Sequence, residues 1–200
     1  MAEPADEPAD ELILEGLVTT LNPDGAPNLS PMGPLVDRGV TRLTLRPFQT
    51  STTYRNLKRS GEGVLHITDD VLLLAQAAIG EFSSPPAMRP ASSVRGMILV
   101  DCCRWFAFRV VALDDSAERT EIRCQVVEAG RCRDYFGLNR AKHAVVEAAI
   151  LATRIGILPA DQIRAELERL ATPVQKTAGQ QERAAFALLQ NYVARRLMES

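Results

Sequence analysis

The sequence predicts an α+β protein in which a small antiparallel β-barrel is followed by an α-helical C-terminal region. Up to about residue 130, short apolar or alternating runs are separated by turn residues, a pattern typical of antiparallel strands. Beyond Gly137, apolar residues recur at helical spacing. With 200 residues, 46% of them hydrophobic and 24% charged, the chain can bury a core without disulfides or a metal. We expect a disordered acidic tail (1–11), a barrel domain (12–136) and a helical extension (137–200).

The first two strands are predicted to form a hairpin. Residues 12–21 are apolar and rich in threonine, and the sequence NPDG at residues 22–25 is a turn in which proline presets one backbone angle and glycine accepts a positive one. The returning segment, 26–36, contains three prolines, each of which removes a backbone donor, so it is not an ordinary central strand. Either this segment lies at a sheet edge, or its unpaired backbone groups and Ser30 face a ligand.

The remaining elements are predicted from periodicity and caps. Strands are expected at residues 40–46, 64–68, 97–113 and 120–127, and a proline-rich irregular loop at residues 81–95. A helix is expected within 48–61, which begins with a Thr/Ser cluster and ends at a glycine. Residues 71–79 fit a buried helix or a buried strand, and we favour the helix. After the helix that follows Gly137, a short helix begins at Pro159. The capping-box pattern of Thr177 and Gln180 then begins the last helix.

A candidate anion site follows the strand that ends at Arg46. Thr50, Ser51, Thr52 and Thr53 lie at a predicted helix N-terminus, where free backbone N–H groups and the helix dipole attract anions. Arg46 can add a charge-assisted contact, and Asn56, one turn later, can donate to phosphate oxygens. The alternative is that one hydroxyl caps the helix while the others are solvated. Because the chain has neither GxGxxG nor GxxxxGK[ST], a bound nucleotide would require another scaffold.

Other polar residues have two interpretations each. His66 either approaches a cofactor or is a partly buried strand histidine with a local hydrogen bond. A polar set on the helix after Gly137 either lines a pocket or is a solvated face with an i,i+4 pair; it comprises Asn139, Lys142, His143 and Glu147. Lys176 can reach an anionic group or remain in solvent.

Charge and composition exclude several classes. Outside the tail the net charge is about +3, and the chain has ten aromatic residues, so we expect no nucleic-acid partner. No apolar run approaches the roughly 20 residues of a membrane span, and the acidic start lacks the positive charge of a signal peptide, which favours the cytoplasm. The cysteines show no CxxC spacing, so we expect core thiols and no metal site; they are Cys102, Cys103, Cys124 and Cys132. Without GxSxG, a hydrolase is disfavoured.

The order of these segments resembles that of the split β-barrel flavin-binding proteins. The segments that carry the resemblance are LVTTLNPDGAPNLSPMGP, the strand ending at Arg46, TSTTYRNLKRSG and VLHIT. This group includes flavin reductase-like and pyridoxamine-phosphate-oxidase-like domains. With NRAKHAVVEAAILATR and KTAG, the chain resembles more narrowly an uncharacterised archaeal and bacterial branch with a helical C-terminal extension.

The resemblance implies a non-covalently bound FMN at the interface of a homodimer. Ser30, Pro31, Met32 and Gly33 then correspond to a segment along the isoalloxazine ring, while Thr50–Thr53 and Asn56 correspond to the phosphate-binding turn and helix. No His or Arg is clearly placed to orient a nicotinamide. The implied activity is that of an FMN-dependent oxidoreductase of unknown substrate; the alternative is a flavin-binding or protein-interaction module without turnover.

Overall fold

A computed structural model of the protein describes residues 11–199. These residues form two compact units: one comprises the chain up to Ile67 together with Ala87–Arg133, and the other comprises Thr68–Pro86 together with the chain from Asp134 onwards. The disordered tail expected at residues 1–11 falls almost wholly outside the described residues. Among the described residues, no helix combines the length and apolar character needed to cross a bilayer.

The first unit is built on an eight-stranded antiparallel sheet. Its strands are β1 (Leu12–Ile13), β2 (Gly16–Leu21), β3 (Pro27–Met32), β4 (Leu35–Val36), β5 (Arg42–Leu45), β6 (Glu62–Ile67), β9 (Arg104–Asp114) and β10 (Glu121–Arg131). Their order in the sheet is β1-β4-β5-β10-β9-β6-β2-β3. A separate two-stranded ribbon joins β7 (Met88–Pro90) to β8 (Met97–Leu99), so the loop predicted to be irregular contains a short strand.

The predicted hairpin is present as β2 and β3. Leu17 pairs with Pro31 and Thr20 with Asn28, and the turn closes through a hydrogen bond from the Asn22 N–H to the Ala26 carbonyl. β3 ends the sheet and pairs only with β2 within the described residues. Residues 27–32 of the proline-rich segment are therefore an edge strand, where a missing backbone donor is tolerated, whereas its last two residues form β4 between β1 and β5.

The core of the first unit follows the alternation read from the sequence. Leu43 and Leu45 of β5 are buried beside Val18 and Phe106, whereas Thr44 is only half-buried. Burying a side chain of this size stabilises the fold by about 1.5–3 kcal/mol. Helix α1 (Thr52–Ser60) places Tyr54 and Leu57 in the same cluster, so its apolar face fixes it against the sheet. It ends at Gly61, where φ is +67°, the left-handed conformation that favours glycine.

The second unit consists of four helices: α2 (Val71–Ile79), α3 (Arg140–Ala152), α4 (Ala160–Thr177) and α5 (Gln180–Met198). The prediction of a short helix after Pro159 is wrong, because α4 has 18 residues and carries Pro173 near its C-terminal end. Buried residues at helical spacing explain its length; they are Ile163, Leu167, Leu170 and Val174. The cap predicted for α5 also differs: Gly179 is the N-cap, and the Glu182 carboxylate accepts from its N–H.

The division of the chain also differs from the expected boundary. Residues 68–86, expected within the barrel domain, group with the C-terminal helices. The reason is α2, whose buried side chains include Val71, Leu74 and Ala75 and which packs against α3 and α5. The second unit thus combines an internal segment of the chain with its C-terminal part.

Candidate functional site

The N-terminus of α1 has backbone donors available for a ligand. Ser51 is the N-cap, and its Oγ accepts from the Tyr54 N–H at 3.1 Å. The next two amides, those of Thr52 and Thr53, donate no hydrogen bond within residues 11–199. Thr50 is exposed, and Ser51 and Thr52 are half-buried. Free N–H groups at the positive end of a helix dipole form a binding site for an anion.

Arg46 directly follows β5 and leads into the loop before this helix. Its Nε is buried but has no hydrogen-bond partner, and Arg46 pairs with no carboxylate in the described part of the chain. Its carbonyl accepts from Arg119 Nε at 3.2 Å, which fixes the backbone. A buried donor left without an acceptor is costly, and more so when it carries charge. This guanidinium therefore fits an anionic acceptor.

A second guanidinium, not identified from the sequence, lies at the same turn. Arg55 donates from Nη1 to the Thr50 carbonyl at 3.0 Å and from Nη2 to Thr52 Oγ1 at 3.1 Å. It thus adds positive charge beside the hydroxyl groups. The signal was available, because Arg55 is three residues after Thr52 and residues at this spacing are neighbours on a helix.

Thr53 and Asn56 face the sheet. Asn56 is 2% exposed, and its Nδ2 donates to Thr20 Oγ1 at 3.0 Å and to Asn22 Oδ1 at 2.9 Å. Thr53 is also buried, and its Oγ1 accepts from Asn28 Nδ2 at 3.1 Å. These bonds tie α1 to the β2–β3 hairpin. In this arrangement Asn56 positions the helix, and its amide donors are already used.

The other side of α1 is held by a charged cluster. Tyr54 donates its hydroxyl to Asp115 Oδ2 at 2.7 Å, and Lys58 Nζ lies 2.6 Å from the same oxygen. The hydrogen bond from Lys58 lowers the pKa of Asp115, and the same bond raises the pKa of Lys58. Both groups are ionised near neutrality, so they anchor α1 to the loop between β9 and β10.

Residues 30–33, predicted to lie along a flavin ring, occupy the end of edge strand β3 and the residue after it. Ser30, Pro31, Met32 and Gly33 are all half-buried. A Cβ on Gly33 would lie 2.9 Å from both Glu15 Oε1 and Ile13 Cγ2, so a larger residue here would have to displace these two side chains. The outer edge of β3 has no strand partner in residues 11–199, which leaves backbone groups available.

His66 is fully buried on β6, and both of its ring nitrogens contact the backbone. Nδ1 lies 3.1 Å from the Leu17 carbonyl, and Nε2 accepts from the Leu99 N–H at 3.1 Å. Burial lowers the pKa of His66 to about 4. The ring is therefore neutral at physiological pH, with its proton on Nδ1, and it joins three backbone segments. This geometry matches the local hydrogen-bond interpretation.

The polar residues of the predicted late-helix set do not lie on one face. Lys142 is buried and donates to the Asp69 carbonyl at 2.6 Å and to Glu182 Oε1 at 2.9 Å, whereas His143 and Glu147 are exposed. Asn139 is the N-cap of α3 and donates to the Thr177 carbonyl at 3.1 Å. Lys176 is exposed in the last turn of α4 rather than in a loop. All of these residues belong to the second unit, and Arg46 to the first.

Three of the four cysteines predicted to be core thiols are buried. Cys102, Cys103 and Cys124 are buried, whereas Cys132 is exposed, and none of the four takes part in a disulfide. Cys132 lies directly after β10 and is therefore not a core residue.

Comparison with known proteins identifies the family. Residues 14–133 match the model of the N-terminal domain of DUF447, a protein family of unknown function. Residues 139–191 match the C-terminal model of the same family. The chain belongs to the DUF447 family. No curated protein matches this DUF447 chain.

Solved structures show the fold of this DUF447 protein. An FMN-bound DUF447 protein from Methanosarcina mazei is similar with a TM-score of 0.80 at 20% identity, over 91% of this chain and 95% of that chain. The styrene monooxygenase flavin reductase of Pseudomonas putida S12 is similar with a TM-score of 0.52 at 11% identity, over 61% of this chain and 82% of the reductase. Flavoredoxin of Desulfovibrio vulgaris is similar with a TM-score of 0.51 at 13% identity, over 66% of this chain and 75% of flavoredoxin. The predicted split β-barrel followed by helices is confirmed.

Proposed function

We propose that this DUF447 protein binds FMN non-covalently in its barrel unit and uses it as an oxidoreductase. The observation that carries the proposal is the buried, unpartnered Nε of Arg46 in the segment that leads to the open N-terminus of α1. An FMN phosphate is dianionic or nearly so, and it accepts several hydrogen bonds at once. The family relationship to an FMN-bound protein supports the choice of ligand.

The residues present fit the phosphate of FMN. The free amides of Thr52 and Thr53 and the hydroxyls of Thr50, Ser51 and Thr52 are available to it at the start of α1. Arg46 and Arg55 supply the charge that neutralises it. Thr53 and Asn56 support the phosphate site indirectly, because their hydrogen bonds hold α1 against the β2–β3 hairpin.

The ring of FMN fits the neighbouring edge strand. The backbone groups of residues 30–33 lie on an edge without a strand partner in the described residues, and a flavin ring edge both donates and accepts hydrogen bonds. Asn28 of β3 is bonded to Thr53 of α1, so the two segments assigned to ring and phosphate are held together. When bound, the flavin supplies the hydride or electron transfer, and the protein binds and orients it.

We also propose that the protein is a cytoplasmic homodimer with the flavin at or near the subunit interface. Exposed apolar side chains on the barrel unit support a partner surface; they include Phe48, Val111 and Val127, which are 48%, 68% and 41% exposed. Light scattering coupled to gel filtration tests the dimer: a mass of twice 21.9 kDa is expected, and a monomer with FMN bound contradicts it.

The flavin proposal is tested by adding FMN to the purified protein, removing free ligand and recording the visible spectrum. NADH or NADPH is then added without oxygen. We expect retained flavin whose absorbance is bleached by one of the two donors. Retained flavin that stays oxidised with both donors favours a binding module without this turnover. A protein that retains no flavin contradicts the proposal.

A further inference from the structure

Two cysteines distant in sequence have adjacent sulfur atoms in the barrel unit. The Sγ atoms of Cys102 and Cys132 lie 3.8 Å apart, although 30 positions separate the residues. Cys102 precedes β9 and Cys132 follows β10, and these antiparallel strands bring both positions to one end of the sheet. The Cys132 N–H donates to the Cys103 carbonyl at 3.1 Å, which fixes Cys132 there.

The two sulfurs of this pair differ in their access to solvent. Cys132 is exposed, whereas Cys102 is 0% exposed. Cys103, the neighbour of Cys102, is also buried, but its sulfur accepts from Arg133 Nη1 at 3.2 Å. The geometry therefore selects Cys102 as the partner of Cys132. An exposed thiol beside a buried one is the arrangement in which a reagent meets the first sulfur and the second reacts with the product.

We propose that Cys132 is a site of oxidation by hydroperoxides and that Cys102 captures the oxidised sulfur as an intramolecular disulfide. The Cys132 thiolate attacks the peroxide O–O bond, giving a sulfenic acid and releasing water from hydrogen peroxide or an alcohol from an organic hydroperoxide. Cys102 then attacks the sulfenic sulfur, so that the S–S bond forms, the S–O bond breaks and water leaves. Two thiols lose two electrons and two protons in total, and the peroxide takes up both.

The two cysteines differ in how readily they react. Burial is the main cause that raises the pKa of Cys102 to about 12, so Cys102 is a thiol when Cys132 meets the oxidant, and it has to give up its proton as it attacks the sulfenic sulfur. Closing the bond requires the sulfurs to approach from 3.8 Å to about 2.05 Å. The exposed side chain of Cys132 can make most of this movement, because no packed core surrounds it.

The test uses the purified full-length chain and a slight excess of hydrogen peroxide. We expect the free thiols, counted after denaturation, to fall from four to two, and the intact mass to fall by two hydrogen atoms. Cleavage after glutamate should give a linked pair of peptides, and fragmentation between positions 102 and 103 should place the link at Cys102. A thiol reductant should restore all four thiols.

Matched variants separate the two adjacent cysteines. Cys103→Ser should form the disulfide as the parent does. Cys102→Ser should form none, and its Cys132 should react with a sulfenic-acid probe. Cys132→Ser should lose fewer than a tenth as many thiols as the parent under the same treatment. The mapping of the parent chain decides the question even where a variant fails to fold.

Three results would overturn the proposal. One is a parent chain that keeps four thiols after treatment with peroxide. The second is a link that joins Cys103 to Cys132, or that persists in Cys102→Ser. The third is a disulfide found only between two chains. None of these results depends on bound FMN, so failure here is distinguishable from failure of the flavin proposal.

Discussion

Asn28 on the edge strand β3 donates through Nδ2 to Thr53 Oγ1 of α1 at 3.1 Å. This bond joins the two segments that the flavin proposal assigns to the ring and to the phosphate. Asn28 also lies 3.4 Å from Thr20 Oγ1, which accepts from Asn56 as well. The spacing between the ring segment and the start of α1 is therefore set by side-chain hydrogen bonds.

Breaking this bond should loosen the site. We expect Asn28→Leu to reduce the free energy of unfolding by about 1–3 kcal/mol, because Thr53 is buried and loses its partner. FMN affinity should fall in parallel. A double-mutant cycle with Thr53→Val, measured by urea unfolding, should give a coupling energy of about 0.5 kcal/mol or more. Strictly additive effects of the two substitutions would contradict the link.

Ser51 serves both the helix and the ligand, and two substitutions separate these roles. Ser51→Ala removes the N-cap and should cost about 1 kcal/mol of stability while weakening FMN binding. Ser51→Asp keeps a capping oxygen, so its stability in urea should match the parent. Its negative charge should nevertheless repel the phosphate and reduce FMN affinity by at least tenfold. A Ser51→Asp variant that binds FMN like the parent would refute the phosphate position.

His66 should make the stability of the protein sensitive to mild acid. Burial lowers the pKa of His66 to about 4 from its usual 6.5, so the unfolded chain binds more protons between these values. Stability is therefore fully present above pH 6.5 and falls as the pH drops towards 4, by about 3 kcal/mol in total for this group. NMR titration of the parent protein should show a neutral His66 ring down to about pH 4.

The chain provides a control for His66, since its only other histidine, His143, is exposed. Urea unfolding of His143→Gln should show the same loss of stability between pH 6.5 and 4 as the parent. In His66→Gln this loss should be smaller. A His66 ring that becomes protonated near its usual pKa would contradict the structural role assigned to it.

The Lys142–Glu182 pair should stabilise the helical unit, because both residues are buried. Burial alone raises the pKa of Glu182, but the hydrogen bond and charge of Lys142, together with backbone hydrogen bonds, lower it overall. Lys142→Met leaves a buried carboxylate without its cation and should cost about 3–5 kcal/mol in thermal or urea unfolding. Lys176→Met, at an exposed helical lysine, is the control and should change stability by less than about 0.5 kcal/mol. A similar small effect of Lys142→Met would contradict the pair's importance.

The sequence predicted those structural features that depend on only a few neighbouring residues. The Thr/Ser cluster and Gly61 delimited α1, and the prolines of residues 26–36 excluded an ordinary central strand, because cap and proline preferences need no distant partner. The placement of Arg46 at the end of a strand followed from the periodicity of residues 40–46. The predictions of the fold and of the position of the candidate site depended on these features.

What the sequence did not reveal depends on contacts between distant residues. Asn56 was expected to face a ligand, but its amide donates to Thr20 and Asn22, more than 30 residues earlier. The grouping of α2 with the C-terminal helices arises from packing on α3 and α5. Lys142 and His143 were predicted to belong to one polar set because both side chains are polar. The packing of α3 buries Lys142 and leaves His143 exposed.

The most direct test of the phosphate site compares FMN with riboflavin, which lacks the phosphate. We expect Arg46→Gln to weaken FMN binding by about 10- to 100-fold, which corresponds to the loss of a charge-assisted contact, and to leave riboflavin binding unchanged. Arg38→Gln, in an exposed turn of the same unit, should leave both affinities unchanged. Flavin fluorescence titration measures both ligands with all three proteins. FMN affinity that survives Arg46→Gln, or an equal loss for both ligands, would contradict the assignment of Arg46 to the phosphate.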